Sequence, residues 1–519
     1  MRRRSLAAVV VPVLAGGLIA GMSPALADPA EALGTTHIPA RYAKQTLDWH
    51  LCTAEELPSP VPGLECATYR TPRDWERPHQ RPELTIAISR FAATGKATAS
   101  VLTNPGGPGG PGRTLPAVFR NQSKLREHQE VIGIDTRGTG KSTNVSCGGA
   151  IGSELIPDAR DRNPANLDLV VDTVRRQAAD CRKASGELGP FINTFQMTKD
   201  LDLLRVLLRR DKINWIGYSA GTWLGAHYAQ RFPNRVGRFV LDSATEFTAS
   251  WQQSFDWQPM AFERRWRQDF LPWIARYDAK YHFGATAEAA RQNYERIRQA
   301  LSRKPVVIDG MKIGPTELDL RTLGELKSKA RFTALAEDFV RLRTLTEPGT
   351  PEQAKIEARD GLKEGVAKQR AEAPDALVAT LFNTLCNDGP WTGDRESLIR
   401  RSQQFLDRGQ TLHSGWLGFQ VCAFWGTQPR PLPKLDGKGV PPVLIVHAEH
   451  DGATAIEGAR RAHAAFANSR LLTVTGEGDH GVYGMGNPAV DKIVNAYLVD
   501  GVVPADQNVP GMPLPVPAG

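Results

Sequence analysis

Ile213-Asn214-Trp215-Ile216-Gly217-Tyr218-Ser219-Ala220-Gly221 places a serine between two glycines, after a short apolar run and before a helix-compatible stretch, Thr222 to Gln230. That order reads as a buried strand, a sharp turn and a helix. The turn has to present the Ser219 hydroxyl on a strained backbone, so glycines are needed on both sides, where a side chain would collide with the neighbouring strand or helix. A serine at a helix N-terminus also meets partial positive charge and free amides, which favour a developing anion. G-x-S-x-G is short, but this setting makes Ser219 a candidate nucleophile.

Outward from that turn, short apolar runs alternate with helical patterns: Leu84 to Phe91, Val101 to Thr103, Val131 to Ile134, Ile213 to Ile216, Phe239 to Leu241, Val443 to Val446 and Leu471 to Val474. The alternation predicts a mostly parallel central sheet flanked by helices. Between 245 and 435 the chain turns to Arg, Glu, Ala, Leu and Trp at helical spacing, as in Phe262 to Tyr281, Ala287 to Leu301 and Pro351 to Lys368. This predicts a large helical insertion that divides one core into 41–244 and 436–505. The tail 506–519, with prolines at 510, 513, 515 and 517, reads as a loose end.

A serine hydroxyl needs a base. In a strand-turn-helix setting the partners follow in the order serine, acid, histidine, on loops after later strands. After Val443 to Val446 comes His447-Ala448-Glu449-His450-Asp451-Gly452, and after Leu471 to Val474 comes Gly476-Glu477-Gly478-Asp479-His480-Gly481. Asp451 is assigned as the orienting acid and His480 as the base. Glu449 lies closer to the strand end, Asp479 reads as a loop-positioning residue, and His447, His450 and His227 read as packing or solvent-facing.

An anion site must accompany the nucleophile, because loss of one donor costs roughly 3 kcal/mol of barrier. One donor is the amide of Ala220; the second is expected on a loop after an early strand. That loop is Asn104-Pro-Gly-Gly-Pro-Gly-Gly-Pro-Gly112, whose prolines have no N–H, so a glycine must donate, and Gly107 is assigned. The stretch also has a glycine every third residue, as in collagen, but is too short for a triple helix. It matches G-x-G-x-x-G literally, with Glu127 at a ribose-contact distance, yet Pro111 removes an amide where pyrophosphate would need one. A flexible linker is the remaining reading.

The 519 residues, 41% hydrophobic, suffice for one large elaborated domain or two. The net charge of +8 is spread without a basic block, which argues against a nucleic-acid partner. Arg2-Arg3-Arg4, the apolar Leu6 to Met22 and Ala25-Leu26-Ala27 describe a secretory signal peptide over 1–27, with 28–40 a propeptide or flexible start. No later segment is apolar enough to span a bilayer, so no membrane anchor is expected after cleavage. In an exported chain, Cys52, Cys66, Cys147, Cys181, Cys386 and Cys422 read as disulfides, paired here as sequence neighbours, and no histidine spacing supports a metal site.

Asn104-Pro-Gly-Gly-Pro-Gly109, Asp135-Thr-Arg-Gly-Thr-Gly-Lys-Ser142, Asp200-Leu-Asp-Leu-Leu-Arg205, Asn214 to Gly221 and the late Asp and His together resemble the secreted tripeptidyl aminopeptidases, in the prolyl aminopeptidase group of α/β-hydrolases. The resemblance runs from about Leu51 to Leu498. It implies a secreted serine peptidase that uses Ser219, Asp451 and His480 as triad, Gly107 and Ala220 as oxyanion donors, and 245–435 as a cap; a monomer is expected. It implies peptide N-termini as substrates and no cofactor. Pro105 stands where prolyl aminopeptidases proper carry histidine in HGGPG, which favours release of short peptides over single prolines. Glu246 and Asp388 are candidates to meet the substrate ammonium, against a plain surface or structural role. Asp135 and Arg137 are expected to brace the loops by an ion pair. An exported esterase or lactonase would use the same triad, and a binding protein that kept the fold is the third class.

Overall fold

The computed structural model describes residues 38–518 except 58, 81, 150–155, 373–374, 427–428 and 430–431. The expected signal peptide and residues 28–37 of the segment after it lie outside the described residues. Twelve strands are described: β1 His50–Leu51, β2 Glu65–Pro72, β3 Glu83–Phe91, β4 Ala99–Asn104, β5 Gln129–Ile134, β6 Ile213–Tyr218, β7 Val236–Asp242, β8 Val306–Ile308, β9 Met311–Ile313, β10 Val443–Ala448, β11 Ser469–Thr475 and β12 Gln507–Pro510. Ten form one sheet in the order β1-β2-β3-β5-β4-β6-β7-β10-β11-β12. From β5 to β12 every pairing is parallel. The edge β1-β2-β3 is antiparallel and joins β5 in the same sense. All six residues of β6 are buried, as a central parallel strand covered on both faces requires.

The chain leaves β4 for β5 on one side, while β6 pairs with β4 on the other. Strand order therefore reverses at β4, and the loops leaving the carboxyl ends of β4 and β6 flank the crevice that such a reversal opens. These loops are the glycine-proline stretch and the Ser219 turn. Trp215, Tyr228 and Phe239 pack on one face of the sheet, and Val101, Ile216, Val240 and Val446 on the other.

The segment between β7 and β10 is mainly helical, as predicted, including Gln258–Arg265, Ala287–Arg303, Pro315–Glu325, Phe332–Thr346, Glu352–Glu372, Asp375–Asp388 and Arg395–Asp407. It has its own aromatic core, in which Phe270 meets Phe332 edge-on at 5.0 Å. The sequence reading found no strand here, yet β8 and β9 form a hairpin. The signal was Asp309-Gly310, with φ of 47° and 77°, the pair of positive angles a tight two-residue hairpin turn uses.

The tail is the other correction. Gln507–Pro510 adds to β11 as the edge strand β12, and Trp273 Nε1 donates to Pro515 O at 2.7 Å. An edge strand tolerates a proline because one side of it needs no N–H.

The six cysteines form Cys52–Cys66, Cys147–Cys181 and Cys386–Cys422. The last ties helix Asp375–Asp388 to Val421–Phe424 across 36 residues of sequence. A Cys386→Ala/Cys422→Ala double variant is expected to lose about 3–4 kcal/mol of stability. Denaturant unfolding would read this, and an unchanged midpoint would contradict it.

Candidate active site

Ser219 caps helix Ala220–Arg231 with φ 56° and ψ −125°. Both flanking glycines are sterically required. A Cβ on Gly217 would lie 2.4 Å from Gly221 O, and one on Gly221 would lie 2.7 Å from Asn104 O. The loop after β4 is pressed onto this turn, since a Cβ on Gly106 would lie 2.4 Å from Tyr218 O and 2.7 Å from Ala220 N. The Gly106 N–H donates to Asn104 Oδ1 at 2.9 Å, and the Gly110 N–H to Gly106 O at 2.9 Å. Between them the Gly107 N–H donates to no group among the described residues. The Ala220 N–H opens the helix and has no intrahelical acceptor.

The far end of the loop is clamped by Asp135, which accepts from Gly112 N at 2.8 Å, Arg113 Nε at 2.8 Å and Lys141 N at 2.9 Å. The expected pairing of Asp135 with Arg137 is corrected here. Asp135 pairs with Arg113, while Arg137, fully buried, holds Asp200 through Nε at 2.7 Å and Nη2 at 2.8 Å. Two parallel contacts match a guanidinium to a carboxylate, so each loop acquires a separate brace.

Asp451 is fully buried and accepts from His480 Nδ1 at 2.8 Å, Ala453 N at 2.8 Å, and Thr454 through its N–H at 3.0 Å and its hydroxyl at 2.9 Å. Burial opposes its charge, but the histidine and these donors outweigh it and hold the carboxyl below its ordinary value. Glu449, the rival acid, accepts from Gly476 N instead. His447 is bonded on both ring nitrogens, accepting from Ala244 N at 2.9 Å and donating to Thr454 O at 3.0 Å. Burial pushes its imidazole down to about 4, so it is neutral at physiological pH. His450 pairs with Asp269 at 2.9 Å.

Two residues that sequence reasoning overlooked join these loops. The carbonyl of Asp242, at the end of β7, accepts the Ser219 N–H at 3.0 Å, and its carboxylate accepts Tyr483 N at 2.7 Å. Ser243 Oγ accepts Gly481 N at 2.8 Å, and its carbonyl accepts the Thr454 hydroxyl at 3.0 Å. The turn of Ser219 and the loops of Asp451 and His480 thus meet at one dipeptide. Tyr218 closes the arrangement by donating to Tyr483 O at 2.6 Å. The available signal was a polar pair at a strand end; nothing in its neighbourhood along the chain marks its partners.

The inserted helices grip the histidine loop. The His480 N–H donates to Lys327 O at 2.8 Å, and Lys329 N–H to Asp479 Oδ1 at 2.6 Å. Arg265, fully buried, donates to Asp479 at 2.7 Å, Asp269 at 2.7 Å and Leu326 O at 3.2 Å. A Cβ on Gly478 would strike Arg265 Nη1 at 2.1 Å, so this contact also explains that glycine.

The two carboxylates assigned to the substrate ammonium are already engaged. Glu246 accepts from Trp257 Nε1 at 2.7 Å and Arg461 Nε at 3.0 Å. Asp388, 3% exposed, accepts from Thr194 N at 2.7 Å, Thr194 Oγ1 at 2.6 Å and Trp251 Nε1 at 3.0 Å. Helix packing brings these intrachain donors to both groups.

Arg265→Met strips a partner from two carboxylates at once. It is expected to cost about 3–5 kcal/mol of stability in denaturant unfolding and to lower kcat in the folded fraction; unaltered kcat would mean the histidine loop stands without the insertion. Burial raises the Asp388 carboxyl from its ordinary 3.8 to about 6, against the bonds of Thr194 and Trp251. Between those values the unfolded chain has lost a proton that the folded chain keeps, so stability falls as pH rises from about 4 to 6. Asp388→Asn should flatten that slope in urea midpoints taken across the window.

A family model described as an alpha/beta hydrolase fold matches residues 100–308, and one described as TAP-like protein matches 412–510. A tripeptidyl aminopeptidase of Streptomyces lividans is 32% identical over 494 residues, covering 91% of this chain and 88% of that one. Serine protease Hip1 of Mycobacterium tuberculosis is 27% identical, covering 89% of this chain and 90% of that protein. A carboxylesterase B of the same species is 27% identical, over 97% and 98%. The sheet order, the Ser219 turn and this similarity along nine-tenths of the chain lead to one conclusion: the chain belongs to the tripeptidyl aminopeptidase family, as a serine peptidase of the α/β-hydrolase type.

Proposed function

We propose that this is an exported aminopeptidase that releases tripeptides from free N-termini, with Ser219 as nucleophile, His480 as general base and Asp451 as orienting acid. The observation that carries the reading is the 2.8 Å contact of His480 Nδ1 with buried Asp451, on a loop bonded through Asp242 and Ser243 to the strained Ser219 turn. With Nδ1–H turned to Asp451, Nε2 is the nitrogen that takes the Ser219 proton as its oxygen attacks the carbonyl. The amides of Gly107 and Ala220 hold the oxyanion. His480 then protonates the leaving amine, and water repeats the cycle on the acyl-enzyme.

The inserted helices 245–435 act as a cap that limits how much chain can lie beyond the serine. Export is supported by the leader pattern at 1–27 and by three disulfides, which persist in oxidising surroundings. The similarity to a carboxylesterase B supports a second reading, ester hydrolysis by the same triad.

Ser219→Ala should lower turnover of a tripeptidyl anilide on the order of a million-fold while leaving the fold intact by circular dichroism. Undiminished turnover would remove Ser219 from the mechanism. A free-amine tripeptide amide should be cleaved in preference to its N-acetylated twin, with mass spectrometry showing intact tripeptides. Indifference to acetylation together with faster turnover of a short-chain ester would favour the esterase.

A further inference from the structure

Lys327 sits against the proposed base yet serves no step of the reaction. Its backbone is anchored on both sides, because the preceding carbonyl of Leu326 is held by Arg265 and its own carbonyl accepts the His480 N–H. Neighbouring cations are all neutralised: Arg265 by Asp269 and Asp479, Lys329 by Glu477, and Arg331 by Glu325. Lys327 alone in this segment makes no ion pair among the described residues. Its side chain is exposed to solvent, while protein crowding around it lowers its pKa from the ordinary lysine value, with Asp451 acting in the opposite sense. Its charge is also felt by the buried His413. Lys327 therefore stands beside the histidine loop, exposed and with no ion pair among the described residues.

His480 has to hand its proton to the leaving amine, so a group flanking His480 flanks the residue that departs. An unpaired ammonium there attracts a negative group and repels a positive one. On the triad reading above, we infer that Lys327 receives a carboxylate carried by the first residue beyond the cleaved bond, making it a specificity-determining residue for acidic leaving groups. That carboxylate has two sources, an acidic side chain or the C-terminus of a peptide that ends one residue past the cut.

The test compares kcat/KM for tetrapeptides that share three N-terminal residues and end in glycine acid, glycinamide, glutamic acid amide or glutamine amide, with the tripeptidyl anilide as neutral reference. The wild type should favour each carboxylate over its neutral twin by about fivefold, the worth of one partly exposed ion pair. The acid-to-amide and glutamate-to-glutamine ratios report the two sources separately, and either alone sustains the inference. Both should fall to near one in Lys327→Met and below one in Lys327→Glu. Ratios near one in the wild type, or unchanged in Lys327→Met, would overturn it. Failure of the wild type to cleave the anilide would instead strike the peptidase reading. If the variants do not fold, raising salt to about 1 M should draw the wild-type ratios towards one by screening, and salt-insensitive ratios would overturn the inference.

Discussion

Everything at the site depends on the absence of side chains around one backbone turn. Ser219 occupies φ 56°, a conformation costly for a residue with a Cβ, and it persists because β6 and the helix Ala220–Arg231 fix both ends of the turn. That geometry leaves no room at Gly217, Gly221 or Gly106, each of which meets backbone atoms at under 3 Å once a Cβ is added. The close approach of the glycine-proline loop to the serine is therefore a packing requirement first. Beside it the Gly107 N–H donates to no group among the described residues, and the Ala220 N–H opens the helix.

The remaining groups are positioned by hydrogen bonds that cross between elements. The Asp242 carbonyl binds the Ser219 turn and the Ser243 carbonyl the Asp451 loop, while the side chains of both bind the histidine loop. Arg265 and Lys327 hold the same loop from the inserted helices. The insertion thus contributes to the geometry of the histidine loop. Its buried Arg265 is matched by carboxylates from its own helix and from the loop, as a buried cation must be.

Much of the fold was legible because it rests on local patterns. Apolar runs bounded by turns marked seven strands of the sheet, and the change to helical spacing after β7 marked the insertion. What escaped notice had weak local signals. β2 is an edge-side strand of mixed polarity, β8 and β9 are three residues each, and β12 hides in a proline-rich tail. Glu246 and Asp388 looked available for an ammonium because their partners, Arg461, Trp257, Thr194 and Trp251, are in other elements.

By itself the sequence determined the order of elements, the turn at Ser219, the candidate acid and histidine, and a loop whose prolines leave only glycines as amide donors. These are consequences of side-chain size, backbone freedom and periodicity, which act over a few residues. Only the tertiary structure decided which charges are free. Whether a carboxylate or an ammonium meets a partner depends on residues tens to hundreds of positions away, brought within 3 Å by packing. Asp388 thereby meets Thr194 and Trp251, and Lys327, beside His480, makes no ion pair among the described residues.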